Sequence, residues 1–286
     1  MQTVYLVQSV AAPWLDALMT WITEIGSAEV YVVLMVFTYL AVDPRAGRAI
    51  GIALLVSFQL NQYAKGWFDT ARPFELDASV IRTQWSVDRA LGAGFPSGHA
   101  QIAATFWGFA AVLVRRAWIW VVAVVLVVLV SFSRIYLGVH VPADVVGGLL
   151  IGVVVVGMAT LWVRSGFDPP LPLAVLLGVA LPLALHGAFP TPESDLVTGT
   201  LAALTVAPML LRHRTDGPLL GRLAVAIVGL VLAFTVLVAS AELLPEAIKR
   251  HPVGGYLRYV VLGLAATVFA PFIGQAFGWT PAARRP

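Results

Sequence analysis

Along this chain, apolar residues come in long unbroken stretches and polar residues gather between them. Runs such as Ile119–Val130 and Val145–Val156 contain no charge. They show neither the alternation of a half-buried strand nor the polar stripe of a surface helix. Inside lipid a helix satisfies its own backbone polar groups, so the runs are read as helices. They predict spans at Ile25–Val42, Ala49–Ala64, Ser97–Val114, Ala117–Phe132 and Ala143–Val163. Four more follow at Leu171–Ala188, Leu196–Leu211, Leu223–Ala241 and Tyr256–Phe277. A long polar loop, Lys65–Pro96, separates the second span from the third. The segment Met1–Ser27 lacks a basic start and holds Asp16 and Glu24, so it does not read as a signal peptide. With Val4, Leu6, Trp14, Leu15, Leu18 and Trp21 it reads as an amphipathic helix near the interface, with a first full span as the alternative. The expected fold class is all-α: a polytopic transmembrane bundle of about nine spans plus that N-terminal helix.

Composition supports the membrane class. Hydrophobic residues make up 59% of the 286 and charged residues 12%, about half the charged share of a soluble domain. The absence of cysteine excludes disulfides and thiolate metal sites. The net charge of +3 matters less than where the charges lie. Arg45 and Arg48, Arg115 and Arg116, Arg164, then Arg212, Arg214 and Arg222, and finally Arg284 and Arg285 fall on one side of a nine-span layout. The positive-inside rule makes that side cytoplasmic. Lys249, Arg250 and Arg258 fall on the other side, in the company of Glu242 and Glu246, and Glu193 and Asp195 make it more acidic.

Three polar blocks stand out from this background. The first is Lys65, six residues, then Arg72-Pro73. The second is Pro96-Ser97-Gly98-His99. The third is Ser133-Arg134, five residues, His140, three residues, Asp144. On the nine-span map every block falls at the outer face, although the orientation used only basic residues elsewhere. Hydrolysis of a phosphate ester needs cations to hold the anion, a nucleophile and an acid for the leaving oxygen. Lys65, Arg72 and Arg134 can supply the cations. Pro96-Ser97-Gly98-His99 turns from loop into helix, where backbone N–H groups make an anion site and Gly98 permits close approach. His140 and Asp144 are four apart across a helix start, with Pro142 suited to its first turn. A carboxylate accepting Nδ1–H would leave Nε2 as the nucleophile, with His99 as the complementary acid.

These blocks, in this order and with these internal spacings, resemble the signature of the type 2 phosphatidic acid phosphatase superfamily, also called the lipid phosphate phosphatase family. All the characteristic positions are present, and the likeness covers the chain through the fifth span. The resemblance implies that His140 is the nucleophile that forms a phosphohistidine and that Asp144 orients it. His99 would protonate the leaving group and then help activate water. Lys65, Arg72, Ser97, Gly98 and Arg134 would hold the phosphate. It implies a hydrolase that needs no metal and no cofactor and is inhibited by vanadate. Residues 1–165 are then expected to form a phosphatase core with all the motifs. Residues 166–286 add transmembrane helices with no assigned role, a departure from members with six spans.

The expected activity is hydrolysis of a lipid-linked phosphate or pyrophosphate at the extracytoplasmic face of the cell membrane. Candidate substrates are isoprenyl pyrophosphates, phosphatidylglycerol phosphate, phosphatidic acid and its lyso or sphingoid relatives. The expected partners are that lipid and the membrane, with no nucleic acid; the oligomeric state is open. One alternative is a phosphotransferase passing the group to a lipid or sugar hydroxyl. Another is a transporter or scaffold with a vestigial site. Plainer roles fall to other polar residues: Arg82 and Arg89 as interfacial anchors or loop charges, His186 as a satisfied core residue, His213 and His251 as solvated-loop residues. Trp67, Phe68, Phe74 and Phe95 read as interfacial aromatics or a lipid entrance. Asp69, Glu75, Asp77 and Asp88 lack metal-ligand spacing and read as a solvated loop.

Overall fold

The computed structural model describes residues 1–281; Arg284 and Arg285 lie outside the described residues. Those residues form helices and connecting loops, with no strand among them. The main helices are α1 Gln2–Gln8, α2 Pro13–Ile25, α3 Ala28–Val42, α4 Pro44–Phe68, α5 Gly98–Val114, α6 Ala117–Tyr136, α7 Pro142–Ser165, α8 Leu171–Ala188, α9 Ser194–Leu210, α10 Leu219–Leu243 and α11 Pro252–Ala276. Proline opens α2, α4, α7 and α11, where its missing N–H costs no bond.

Five helices (α6, α7, α8, α10 and α11) are long and apolar enough to cross a membrane, and α2 with α3, bent by 44°, makes a sixth if counted as one span. α6 exposes Trp118, Val121, Val125, Val128 and Phe132 along one stripe, a surface that only lipid satisfies. The chain is membrane-integral. Three of the nine expected spans fall outside the set of six. α4 carries Arg45, Arg48 and Lys65 near its ends. α5 and α9 have 17 residues each, about 25 Å of rise against a hydrocarbon layer of roughly 30 Å. The N-terminal segment is two helices, broken between Ser9 and Ala12. Trp14, Leu18, Trp21 and Ile25 of α2 face outward, while Met19 and Thr23 are buried.

The chain divides into two compact units, one of Met1–Tyr31 with Val56–Ser165, the other of Val32–Leu55 with the chain from Gly166 on. In the first unit α5 packs on both α6 and α7. Glycines set the α5–α7 approach. A Cβ on Gly148 would lie 2.4 Å from the Ser97 carbonyl oxygen, and one on Gly152 2.9 Å from that of Gln101. α2 packs on α6, where a Cβ on Gly26 would lie 2.4 Å from Val130. Met19, Tyr136, Leu137 and Val139 form a small core there, joined by Leu15, Ile22 and Phe74.

Long-range polar bonds tie the N-terminus to the 69–97 loop. Tyr5 Oη donates to Asp77 at 2.6 Å, and Gln8 Nε2 donates to the carbonyls of Val80 and Tyr136 at 2.8 and 2.7 Å. Arg82 grips Asp16 through two bonds of 2.9 and 2.8 Å, and Tyr136 Oη donates to the same carboxylate at 2.7 Å. Arg89 pairs with Glu29 at 3.0 Å and with Glu24 at 3.6 Å. Arg82 and Arg89, expected as interfacial anchors or loop charges, are loop charges paired with the N-terminal helices.

In the second unit small residues bring α9 and α11 together: a Cβ on Gly199 would lie 2.5 Å from the Tyr256 carbonyl oxygen, and one on Gly263 2.5 Å from Ala203. His213, expected in a solvated loop, is buried; its Nε2 bonds the Leu40 carbonyl at 2.8 Å. His186, expected as a core residue, pairs with Asp195 at 3.1 Å. His251 caps α11, accepting from the Val253 N–H at 3.3 Å.

Candidate active site

The candidate residues all belong to the first unit and come from the ends of four helices and the loops beside them, with Arg72 in the loop after α4, ahead of the short turn Pro73–Leu76. Lys65 is in the last turn of α4, Ser97 caps α5, Arg134 is in the last turn of α6, and Asp144 is in the first turn of α7. His140 sits between α6 and α7. Its N–H donates to the Arg134 carbonyl at 3.2 Å, so the turn after α6 holds the third block in register.

His140 and Asp144 are buried. His140 Nδ1 lies 3.3 Å from Asp144 Oδ2, and the same oxygen accepts the Val141 N–H at 3.0 Å. On the other side of the ring, Nε2 lies 3.3 Å from Nη1 of Arg72. A guanidinium only donates. Nε2 must therefore offer its lone pair, and the ring proton stays on Nδ1, facing the carboxylate. That tautomer carries its nucleophilic lone pair beside the cation that would hold the ligand.

Arg72 is 3% exposed, yet every part of its guanidinium is engaged. Nε and Nη2 donate to the carbonyls of Gly92 and Leu91, each at 2.8 Å, and Nη1 to that of Val139 at 3.1 Å. Burial lowers its pKa to about 10, opposed by Glu75 and Asp144, so it stays charged at neutral pH. Lys65 Nζ donates to the Ala93 carbonyl in the same loop. Arg134 is 2% exposed; its Nη1 donates to Thr23 Oγ1 at 2.6 Å, and its Nε has no partner among the described residues.

Ser97 occupies the cap position of α5, but its side chain makes no cap bond. Its N–H donates to the Asp144 carbonyl at 2.9 Å, which ties the second block to the third. Its hydroxyl is fully buried and has no partner among the described residues, so it is free to donate to an anion. His99, half-buried, is the second residue of α5. At Gly98 a Cβ would lie 3.3 Å from Asn61 Oδ1.

A buried polar network behind this turn lay outside the sequence reading. Asn61 Nδ2 donates to the Pro96 carbonyl at 3.3 Å and to Gln101 Oε1 at 2.8 Å. Gln101 Nε2 donates to Ser57 Oγ at 3.0 Å, and the hydroxyls of Ser57 and Thr105 lie 2.9 Å apart. All four side chains are buried. The signal that could have found them is the cost of an amide inside an apolar helix, which is met only where partners exist. Among the flanking aromatics, Trp67 and Phe68 are exposed, Phe95 stacks edge-on against Phe68 at 4.8 Å, and Phe74 belongs to the small core instead. Of the loop acids, Glu75 accepts the Arg72 N–H at 2.7 Å and Asp77 accepts from Tyr5, so both are structural.

Burial holds the His140 pKa well below the usual histidine range, and the cations of Arg72, Arg134 and Lys65 push the same way. Protonation would add a further cation to this cluster, so the neutral base persists as pH falls. The acid limb of kcat/KM, corrected for ionisation of the substrate, is expected below the ordinary histidine value of about 6.5. A pH profile with the enzyme's limb at or above that value would contradict this electrostatic picture.

Comparison with known proteins shows the family. A family model described as the PAP2 superfamily matches residues 46–167. A second, described as the PAP2 superfamily phosphatase transmembrane extension, matches residues 196–284. The helices after Val163, expected as a departure from the family, thus largely match a known extension of it. The undecaprenyl-diphosphatase of Sulfolobus acidocaldarius is 34% identical over 142 residues, which are 48% of this chain and 66% of that protein. Phosphatidylglycerophosphatase B of Bacillus subtilis is 29% identical over 169 residues, 54% of this chain and 76% of that protein. YbjG of Escherichia coli, named provisionally as an undecaprenyl-diphosphatase, is 31% identical over 146 residues, 50% of this chain and 71% of that protein. The crystal structure of the first transmembrane PAP2 type phosphatidylglycerolphosphate phosphatase from Bacillus subtilis aligns with a TM-score of 0.48 at 26% identity, over 57% of this chain and 83% of that one. With its three polar blocks at the ends of four helices and its C-terminal helices matched to the transmembrane extension, this chain belongs to the PAP2 superfamily.

Proposed function

We propose that this chain is a membrane phosphatase that hydrolyses a lipid-linked phosphate or pyrophosphate through a phosphohistidine at His140, without a metal. The observation that carries the reading is the Asp144–His140–Arg72 line, with bonds of 3.3 Å on each side of the ring. Asp144 holds Nδ1–H, and Nε2 attacks phosphorus in line with the leaving oxygen. His99 donates a proton to that oxygen as the P–O bond breaks. His99, now a base, takes a proton from water, which attacks the phosphohistidine and releases phosphate with His140 restored. Arg72, Arg134 and Lys65 hold the phosphoryl oxygens, together with the Ser97 hydroxyl and the backbone at Gly98. Three cations supply the charge compensation that a divalent metal would otherwise bring.

The matched relatives are named as phosphatases of isoprenyl and glycerolipid phosphates, which favours a substrate with an apolar tail. Exposed Trp67 and Phe68 beside Phe95 are suited to seat such a tail near the site. We place the site on the extracytoplasmic face of the cell membrane. Within the first unit, Arg115 and Arg116 lie at the ends of α5 and α6 away from the candidate residues, and Arg164 at the far end of α7. Basic loops stay cytoplasmic. Nine crossings follow if α4, α5 and α9 also span, the two shorter helices lying in locally thinned bilayer.

The reading is tested by phosphate release from purified protein in detergent with EDTA present. The substrates are isoprenyl pyrophosphate, phosphatidylglycerol phosphate, phosphatidic acid and a soluble sugar phosphate. Release from at least one lipid, unchanged by EDTA, is expected. Loss of release in EDTA with recovery on adding a divalent ion would overturn the metal-free mechanism. No release from any of them without an added hydroxyl acceptor would overturn the hydrolase in favour of a phosphotransferase.

A further inference from the structure

Arg134 is an unusual cation. It is buried, its Nε has no partner, and no carboxylate lies within ion-pair distance of it among the described residues. Glu24 acts on it only from beyond ion-pair distance, and a buried guanidinium without a contacting carboxylate is costly, so its charge is reserved for something that arrives. What holds it is one neutral group, the Thr23 hydroxyl, 2.6 Å from Nη1. Thr23 is 1% exposed and sits in the last turn of α2, more than a hundred residues away in sequence. The same N-terminal helices meet the other arginines differently: Arg82 is held by the carboxylate of Asp16, and Arg89 by those of Glu24 and Glu29. Carboxylates fix the loop arginines Arg82 and Arg89, whereas a neutral hydroxyl faces Arg134.

We infer that Thr23 is a positioning residue of the phosphate site: it aims the Arg134 guanidinium without spending its charge, which makes α2 part of the catalytic centre rather than an interfacial anchor. The inference rests on the phosphatase reading for its kinetic consequences, but anion binding reads it independently. α2 is braced for the task by the close Gly26–Val130 contact and by the Asp16–Tyr136 bond on the following turn of α6.

The test compares Thr23→Val, Thr23→Ser and Thr23→Asp in the full-length protein. Two readouts are used: KM and kcat for phosphate release, and the thermal shift induced by orthovanadate. Loss of a bond to a charged group is expected to weaken anion binding about tenfold in Thr23→Val. KM for the phosphate substrate rises similarly, with kcat changed less. Thr23→Ser restores both. Thr23→Asp would grip Arg134 harder and hold the fold equally well, yet it neutralises the charge, so its vanadate affinity falls at least as far as that of Thr23→Val. In an Arg134→Lys background Thr23→Val should add nothing further. Wild-type KM and vanadate affinity in Thr23→Val would overturn the inference, as would wild-type vanadate affinity in Thr23→Asp. If the wild-type protein releases no phosphate but the vanadate shift follows this order, the phosphatase reading fails and the positioning role stands.

Discussion

His140→Ala is expected to lower phosphate release by about 10³-fold or more, because it removes the nucleophile itself. Vanadate binding should suffer far less, since Arg72, Arg134, Lys65 and the Ser97 hydroxyl remain. Asp144→Asn is expected to cost about a hundredfold or more in kcat with KM near the wild-type value. An asparagine can turn its NH₂ toward Nδ1. The ring proton would then move to Nε2, where it blocks attack and opposes Nη1 of Arg72. The Val141 N–H bond to the carboxylate would be weakened as well. The split between kcat and vanadate affinity separates this chemistry from a collapse of the turn, which would damage both. Normal turnover in His140→Ala would remove the mechanism.

Arg72→Ala is expected to be as damaging, but in both stability and rate. The buried Val139 carbonyl and the partly buried carbonyls of Gly92 and Leu91 lose their donor, and His140 Nε2 loses its neighbour. An unpaired buried acceptor costs about 1–3 kcal/mol, and a partly exposed one less, since water can reach it. The variant should therefore melt several degrees lower, and kcat/KM should fall by about 10³-fold. Arg72→Lys separates charge from geometry. A lysine brings one point charge, and that cannot reach three carbonyls and a ring nitrogen at once. Its kcat/KM should stay within about tenfold of Arg72→Ala. Recovery to near wild type in the lysine variant would show that charge alone suffices.

The fold was legible where a single rule governs it. Apolar runs too long for a water-facing surface marked α6, α7, α8, α10 and α11, since nothing but lipid suits them. Helix ends were less legible. The helix α4, expected as a span at Ala49–Ala64, runs from Pro44 to Phe68, because proline is as good a start as an apolar residue and Lys65 can ride on the last turn. The N-terminal segment has an apolar spacing that is helical throughout and suits one amphipathic helix or a first span equally. Its break and its role depend on Asp16, Glu24 and Thr23 meeting Arg82, Arg89 and Arg134, contacts across 60 to more than 100 positions that no local pattern encodes. The candidate site was legible as spacing. His140 and Asp144 lie one helical turn apart, and each block sits at a helix end. The Ser57–Asn61–Gln101–Thr105 network was not, because a lone amide in an apolar run carries no partner in its own sequence. The burial of His213 was not legible for a related reason: its partner, the Leu40 carbonyl, is a backbone group that any residue would provide.

The central claim, a covalent phosphoryl group on Nε2 of His140, is tested most directly by trapping it. Wild-type protein is mixed with ³²P-labelled lipid phosphate, quenched in base during turnover, and digested for mapping. A label stable in base, lost in acid, located at His140 and missing from His140→Ala is the predicted result. Turnover without trapped label, or label that persists in His140→Ala, would contradict it.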